Sequence, residues 1–296
     1  MFDRAQLQAL SAVLTTGSFE AAARALRVTP SAISQRIRAL EEQAGAVLVL
    51  RGQPARPTAA GVRLVRHAED MALLEAGVAA DLGVGATGRP RLKIAVNADS
   101  LATWFPAALA SLPDFLFDLE IDDQDHSADW LKRGEVQAAV TGDATALPGC
   151  DCHPLGALRY VATASKVFVE KWFANGLTTA VLQMAPALEF NRKDRLQRDW
   201  AAQVAGEPVD LPCHRIGSST AFIDAAERGI GWGMNPEVLA SPSIAAGRLI
   251  ALLPDRPLDV RLYWQVTRLP GDALSPLTRA VRAAAKGALL PIPTLD

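Results

Sequence analysis

Residues 18–45, SFEAAARALRVTPSAISQRIRALEEQAG, constrain the fold more than any other stretch, because they spell two short helices joined by a tight turn. Ser18 offers a side-chain cap, Glu20 puts an acidic group in the first turn, and an alanine-rich run follows, so the first helix is expected to end near Leu26. Thr29 then caps a second helix with Pro30 in its first position, where a missing N–H costs nothing. Ile33, Ile37 and Leu40 recur at i, i+4 and i+7, an apolar stripe that has to face the first helix. Ser31, Gln35 and Arg38 fall on the opposite face. A hydroxyl, an amide and a guanidinium are the groups that read base edges in the major groove, and Ser34 and Arg36 on the flanks reach bases or phosphates. Any amphipathic helix with a solvated polar face shares this pattern, so the helix pair alone does not decide its use.

Charge distribution favours DNA. The 296-residue chain is close to neutral, net −2, yet residues 1–66 hold nine arginines against four carboxylates, net +5, which leaves the remainder at −7. A basic head on an acidic body is the asymmetry expected when one module touches phosphate. Val47-Leu48-Val49-Leu50-Arg51, followed by Gly52, Pro54 and Pro57, reads as a short two-stranded wing, with Arg51 and Arg56 placed to follow the phosphate backbone. A long helix is expected from Thr58 to about Leu82, ahead of a Gly/Pro hinge, GVGATGRP, at 83–90. Leu64, Ala68, Met71, Val78 and Leu82 form an apolar stripe along it, interrupted by Glu75. Packing on its own chain is one use of such a stripe. The preferred expectation is a seam between two copies, whose heads would read two half-sites of a dyad-related operator.

Beyond Pro90 the periodicity alternates: strand 91–96, helix 101–112, strand 115–121, helix 127–133 and strand 136–141. This is an α/β pattern and predicts a mostly parallel sheet, with a ligand outside the carboxyl ends of its strands. Asn97-Ala98-Asp99-Ser100 follows the first strand and is expected to open a helix at Leu101, whose free N–H groups would seat a carboxylate. Ser100 and Thr103 add hydroxyls, Trp104 a wall, and Thr141 ends a neighbouring strand. Ser218 and Ser219 open a further helix, 221–228. Simple N-capping accounts for each hydroxyl equally well. Asp122 and Asp123 end the second strand in an acidic run, which reads either as a solvated loop or as the receiver of a ligand's cationic side chain; Asp99 is the alternative holder of an ammonium.

The head stretch ALRVTPSAISQRIRALEEQAG, followed by RPTAAG, resembles the winged helix-turn-helix of LysR-type transcriptional regulators. In the body, KIAVNADSLATWFPAAL, LKRGEVQAAVTGD, LGALRYVATASKVFVEKWFANG and PCHRIGSSTAF resemble the ArgP/LysG branch, which controls export of basic amino acids. The resemblance covers essentially the whole chain. It implies a winged helix-turn-helix over 1–57, a linker helix and hinge over 58–88, and a two-lobed, periplasmic-binding-protein-like effector domain over 89–296. Lobe II (164–266) would be inserted in lobe I (89–163 and 267–296), with crossings at 162–165 and 263–267. It also implies a homodimer or homotetramer on double-stranded DNA, contact with RNA polymerase, and lysine or arginine as the small-molecule effector, with no further cofactor. A LysR-type regulator of a different metabolite remains the other reading within the family.

Other classes make demands the residues do not meet. A solute-binding protein shares the two-lobed body but needs a secretory leader and no basic head, and the chain has neither a leader nor an apolar run long enough to span a bilayer, so a cytoplasmic protein is expected. His67, His126, His153 and His214 lie on separate elements and no Ser/His/Asp arrangement is visible, so catalysis is not expected. Cys150, Cys152 and Cys213 make no CxxC pair, which argues for free thiols over a zinc site or a disulfide framework. The GIGWG run at 229–233 follows a helix and meets Pro236, so it reads as a turn and strand and not as a nucleotide loop.

Overall fold

Capping side chains start each helix of the head. In the computed structural model, which describes residues 2–82, 89–269 and 271–292, the Asp3 carboxylate accepts from the N–H groups of Ala5 and Gln6 and starts α1 (Arg4–Thr16). Ser18 caps α2 (Phe19–Ala25), and Thr29 caps α3 (Pro30–Ala44), which ends at Gly45 in the left-handed region, φ +65°. Leu7, Leu10 and Val13 of α1 close over Ala22, Ala23, Ile33, Ile37 and Leu40, all buried, so three helices and not two build this core. The wing is shorter than its apolar run: β1 (Val49–Leu50) pairs antiparallel with β2 (Arg56–Pro57), while Leu48 turns into the core and Val47 stays exposed.

Thr58 accepts from the Gly61 N–H and starts α4 (Ala59–Asp81). The stripe along α4 is not one seam. Leu64, Ala68 and Met71 pack against the head's own core, Leu73 is buried in the core of the following domain, and Glu75 is ion-paired to Arg4 at 3.0 Å. Only its C-terminal part is open: Leu74, Val78 and Leu82 are 46%, 57% and 71% exposed at steps of four. Of the expected intersubunit seam, Leu64, Ala68 and Met71 are thus partly covered by the head of the same chain, while Val78 and Leu82 stay exposed. Residues 83–88 of the expected hinge lie outside the described residues.

The remaining elements are β3 (Arg91–Val96), α5 (Ala98–Ala102), α6 (Phe105–Ala110), β4 (Leu116–Ile121), α7 (Ser127–Arg133), β5 (Ala138–Thr141) and β6 (Cys150–Ala164). They continue with α8 (Lys166–Trp172), α9 (Thr179–Leu182), β7 (Ala187–Glu189), α10 (Leu196–Ala205), β8 (Cys213–Arg215) and α11 (Ser219–Glu227). The chain closes with β9 (Gly233–Pro236), α12 (Glu237–Ala245), β10 (Ile250–Ala251), β11 (Leu258–Thr267), a 3₁₀ turn (Gly271–Leu274) and α13 (Ser275–Ala288). The helix predicted over 101–112 begins earlier and is broken at Thr103, because Pro106 has no N–H to continue it.

The main sheet runs β10-β6-β11-β5-β3-β4, with β9 also on β6. Only β4, β3 and β5 are mutually parallel; β11, β6, β9 and β10 pair antiparallel, so the mostly parallel sheet expected from the sequence is corrected to a mixed one. The cause is the ribbon of β6 and β11, which carries the chain out and back. Its Tyr263–Val266 end lies on β5, and its Tyr160–Thr163 stretch lies on β9. The register slips between Leu262 and Tyr263, opposite Gly156. The crossings expected at 162–165 and 263–267 fall at the ends of β6 and β11. Trp264 and Phe105 fill the core on one side, Trp200 and Trp232 on the other.

Candidate functional site

Two surfaces carry candidate residues. On α3, Ser31, Gln35 and Arg38 are exposed and Ser34 and Arg36 half-exposed, opposite the buried Ile33, Ile37 and Leu40; Pro30 opens the helix. The Arg38 Nε donates to Glu42 at 3.0 Å along the helix. Glu41 Oε1 accepts from the N–H groups of Leu48 and Val49 at 2.8 and 3.3 Å, which fixes the wing to α3. On the wing, Arg56 is exposed, and the Arg51 guanidinium lies 5.4 Å from the Phe19 ring centre. Helix and wing thus form one basic surface.

The second surface lies where the carboxyl ends of β3 and β4 meet the other lobe. Asp99, in α5, accepts from the Tyr160 hydroxyl of β6 and the Ser219 hydroxyl of α11, each at 2.7 Å. Burial pushes the Asp99 carboxyl up from its ordinary value, and these two hydrogen bonds only partly oppose it. Asp194, in the loop between β7 and α10, accepts from the Phe190 and Leu196 N–H groups at 2.8 and 3.0 Å. Burial, with the nearby charges of Asp123 and Asp99, raises its carboxyl to about 6. Asp99, Asp194, Ser219 and Asn235 line a cavity of about 20 Å³, room for about one water.

Asp122 and Asp123 follow β4, and the charge of Asp123 is felt at Asp194. Asp122 Oδ1 accepts from Lys193 Nζ and from the Asp123 N–H, both at 2.9 Å, and its Oδ2 accepts from Trp130 Nε1 at 3.0 Å. Burial would raise the Asp122 carboxyl, but the hydrogen bonds from Lys193, Trp130 and Asp123 outweigh it and hold it low. Asp123 is raised by burial, and one of its oxygens accepts from the Asp125 N–H. Asn97 Oδ1 and Ser100 Oγ, in residues 4% and 0% exposed, have no partner among the described residues, and buried polar atoms of this kind call for water or a ligand.

Among the residues singled out from the sequence, Asn97, Asp99, Ser100, Asp122, Asp123 and Ser219 thus come to one edge. Others are engaged elsewhere. The Thr103 hydroxyl donates to the Asp99 carbonyl at 2.6 Å, the Thr141 hydroxyl accepts from the Asp143 N–H at 3.1 Å, and Ser218 caps α11. Trp104 packs in the core against Phe105 instead of walling the cleft. The helix expected to start at Leu101 starts at Ala98 and spans five residues, too short for much of a macrodipole, so side chains supply the polar groups here. Tyr160, Lys193, Asp194 and Asn235 escaped the sequence reading. Tyr160 sits in an apolar strand pattern and Lys193 and Asp194 in a polar loop, where only NRKDR's density of charge marked them.

A basic three-helix head with a wing, a linker helix and a two-lobed domain closed on an acidic cleft match two family descriptions. Residues 5–62 match the bacterial regulatory helix-turn-helix protein, lysR family, and residues 85–289 the LysR substrate binding domain. The chain belongs to the LysR family of transcriptional regulators. It is similar to the HTH-type transcriptional regulator LysG of Mycobacterium tuberculosis, 46% identical over 286 residues covering 96% of this chain and 94% of that one. The lysine export transcriptional regulatory protein LysG of Corynebacterium glutamicum is 41% identical over 291 residues, with 97% and 99% covered. The crystal structure of ArgP from Mycobacterium tuberculosis superposes with a TM-score of 0.80 at 45% identity, covering 97% of this chain and 98% of that one. Full-length LysG from Corynebacterium glutamicum with bound effector Arg superposes at 0.67 and 37% identity, with 98% and 100% covered. Among the described residues of this LysR-family chain, no helix is long and apolar enough to cross a membrane.

Proposed function

We propose that this LysR-family regulator senses a basic amino acid, lysine or arginine, in the cleft between its lobes and switches a promoter that serves an amino acid exporter. The observation that carries the reading is the charge of the cleft: Asp99, Asp122, Asp123 and Asp194 converge from both lobes, and Lys193 is paired with Asp122 alone of the four. Desolvated carboxylates that raise one another's proton affinity gain most from a mobile cation. In this reading Asp99 takes the α-ammonium, Asp122 and Asp123 the side-chain cation, and Ser100 with Asn97 the remaining polar groups. The relatives' names, one carrying lysine export and one a bound arginine, support the same assignment.

Pro30, Ser31, Ser34, Gln35, Arg36 and Arg38 on α3 with Arg51 and Arg56 on the wing are the proposed DNA contacts. The protein works in the cytoplasm as a dimer or tetramer, acting through RNA polymerase by binding and not by turnover. Calorimetric titration tests the ligand class: lysine and arginine should bind, and norleucine, of similar length but without the side-chain cation, about tenfold or more weakly. Norleucine binding as tightly as lysine would overturn the reading.

A further inference from the structure

Lys193 stands on the carboxylate that the proposed function gives to the ligand's side chain. Its loop is braced: Asn191 Oδ1 accepts from the N–H groups of Lys193 and Asp194 at 2.7 and 3.2 Å, and Asp194 holds Phe190 and Leu196. The side chain beyond it is a flexible four-carbon arm, 46% exposed, that crosses from lobe II to Asp122 of lobe I. Its ammonium is the same chemical group as the end of a free lysine. The 20 Å³ cavity lined by Asp99, Asp194 and Ser219 does not admit an amino acid, so the lobes have to part for a ligand to enter and close again around it.

A carboxylate offers about four lone-pair sites. At Asp122, lobe I itself fills one on each oxygen, through the Asp123 N–H on Oδ1 and Trp130 Nε1 on Oδ2, and Lys193 fills the second site of Oδ1. One site on Oδ2 stays open. A single ammonium fits there, whereas a guanidinium making two parallel bonds needs a site on each oxygen and has to displace Lys193. We propose that Lys193 is a specificity-determining residue, a tethered occupant of Asp122 that disfavours arginine relative to lysine. The inference rests on the basic-ligand reading above.

The test is calorimetric titration of lysine and arginine into the full-length parent, Lys193→Met, Asp122→Asn and the double variant. Losing an exposed competing pair should tighten arginine about fivefold and lysine about twofold or less in Lys193→Met. A changed balance of open and closed lobes would move both ligands together, so the arginine-to-lysine ratio is the readout. In the Asp122→Asn background, Lys193→Met should leave that ratio unchanged, which places the effect on Asp122. A parental ratio in Lys193→Met, or weaker binding of both ligands, would overturn the assignment. A parent that binds neither lysine nor arginine would instead remove the basic-ligand reading itself. Melting curves monitor folding of each variant.

Discussion

Effector affinity should depend on pH with a midpoint set by Asp194. Its carboxyl is buried and raised from 3.8 to about 6 by burial and by the charges of Asp123 and Asp99. Near pH 7.5 it is ionised and attracts a cation; at pH 5 only about one-tenth of it is ionised, so lysine should bind about tenfold more weakly there. The raised Asp99 and Asp123 steepen the loss in the same direction. Stability without ligand runs the opposite way. A carboxyl raised in the folded state disfavours folding above its folded value, by about 3 kcal/mol for a shift of this size, and that cost disappears as pH falls through 6 towards 4. The protein alone should therefore gain stability from this group on acidification while losing its ligand. The assays are calorimetry with lysine from pH 5 to pH 7.5 and urea unfolding over the same range, on the parent and on Asp194→Asn. Asp70 on α4, also raised to about 6 by burial, is the control: Asp70→Asn should change the stability curve and leave the ligand's pH slope intact. A lysine affinity that stays flat between pH 5 and pH 7.5 would refute the electrostatic account of the cleft.

Two further outcomes concern the head and the linker. Gln35→Ala should reduce discrimination between specific and random duplexes by about 1–3 kcal/mol, while Arg51→Ala should weaken both and lower the salt slope by about one, as read by fluorescence anisotropy across salt concentrations. An unchanged specific-to-random ratio in Gln35→Ala would remove it from the reading face. Val78→Asp should dissociate the assembly in sedimentation at low micromolar concentration, because it charges the open face of α4, whereas Met71→Asp should chiefly lower the melting temperature, because Met71 packs on the head. Equal dissociation by both would restore the longer seam.

Local rules made the head legible. Ser18, Thr29 and Pro30 act within one helical turn, and the i, i+4, i+7 stripe of Ile33, Ile37 and Leu40 needs only helical geometry to announce a buried face. The same periodicity on α4 shows that a face is apolar but not which surface covers it, and α1 takes Leu64, Ala68 and Met71 while Leu74 and Val78 stay open. In the cleft, Asp99 was legible from its place after β3 and Ser219 from its place at a helix start. Their mutual hydrogen bond spans 120 residues of chain and follows only from the fold. Hydroxyls were the least reliable markers, since Thr103 and Thr141 spend theirs on neighbouring backbone. Lys193 was invisible as a site residue because a lysine in a polar loop reads as solvated until its partner is known.

The packing also limits how an effector reaches the DNA. Within one protomer α4 is bound to the head by Leu64, Ala68 and Met71, and to lobe I by Leu73 and by the Lys93–Glu69 ion pair at 2.9 Å. The contacts of Ser219 to Asp99 and Lys193 to Asp122, which join lobe II to lobe I, are separate from those attachments. Re-setting lobe II leaves the attachments to the head of the same protomer in place, so the expected bistable element acted on by ligand includes a second subunit touching lobe II. The consequence is measurable. A Val78→Asp variant held as a monomer should bind lysine with parental affinity, yet its affinity for a single half-site should not change when lysine is added. A lysine-dependent shift in half-site binding by that monomer would show that the signal travels along α4 inside one chain.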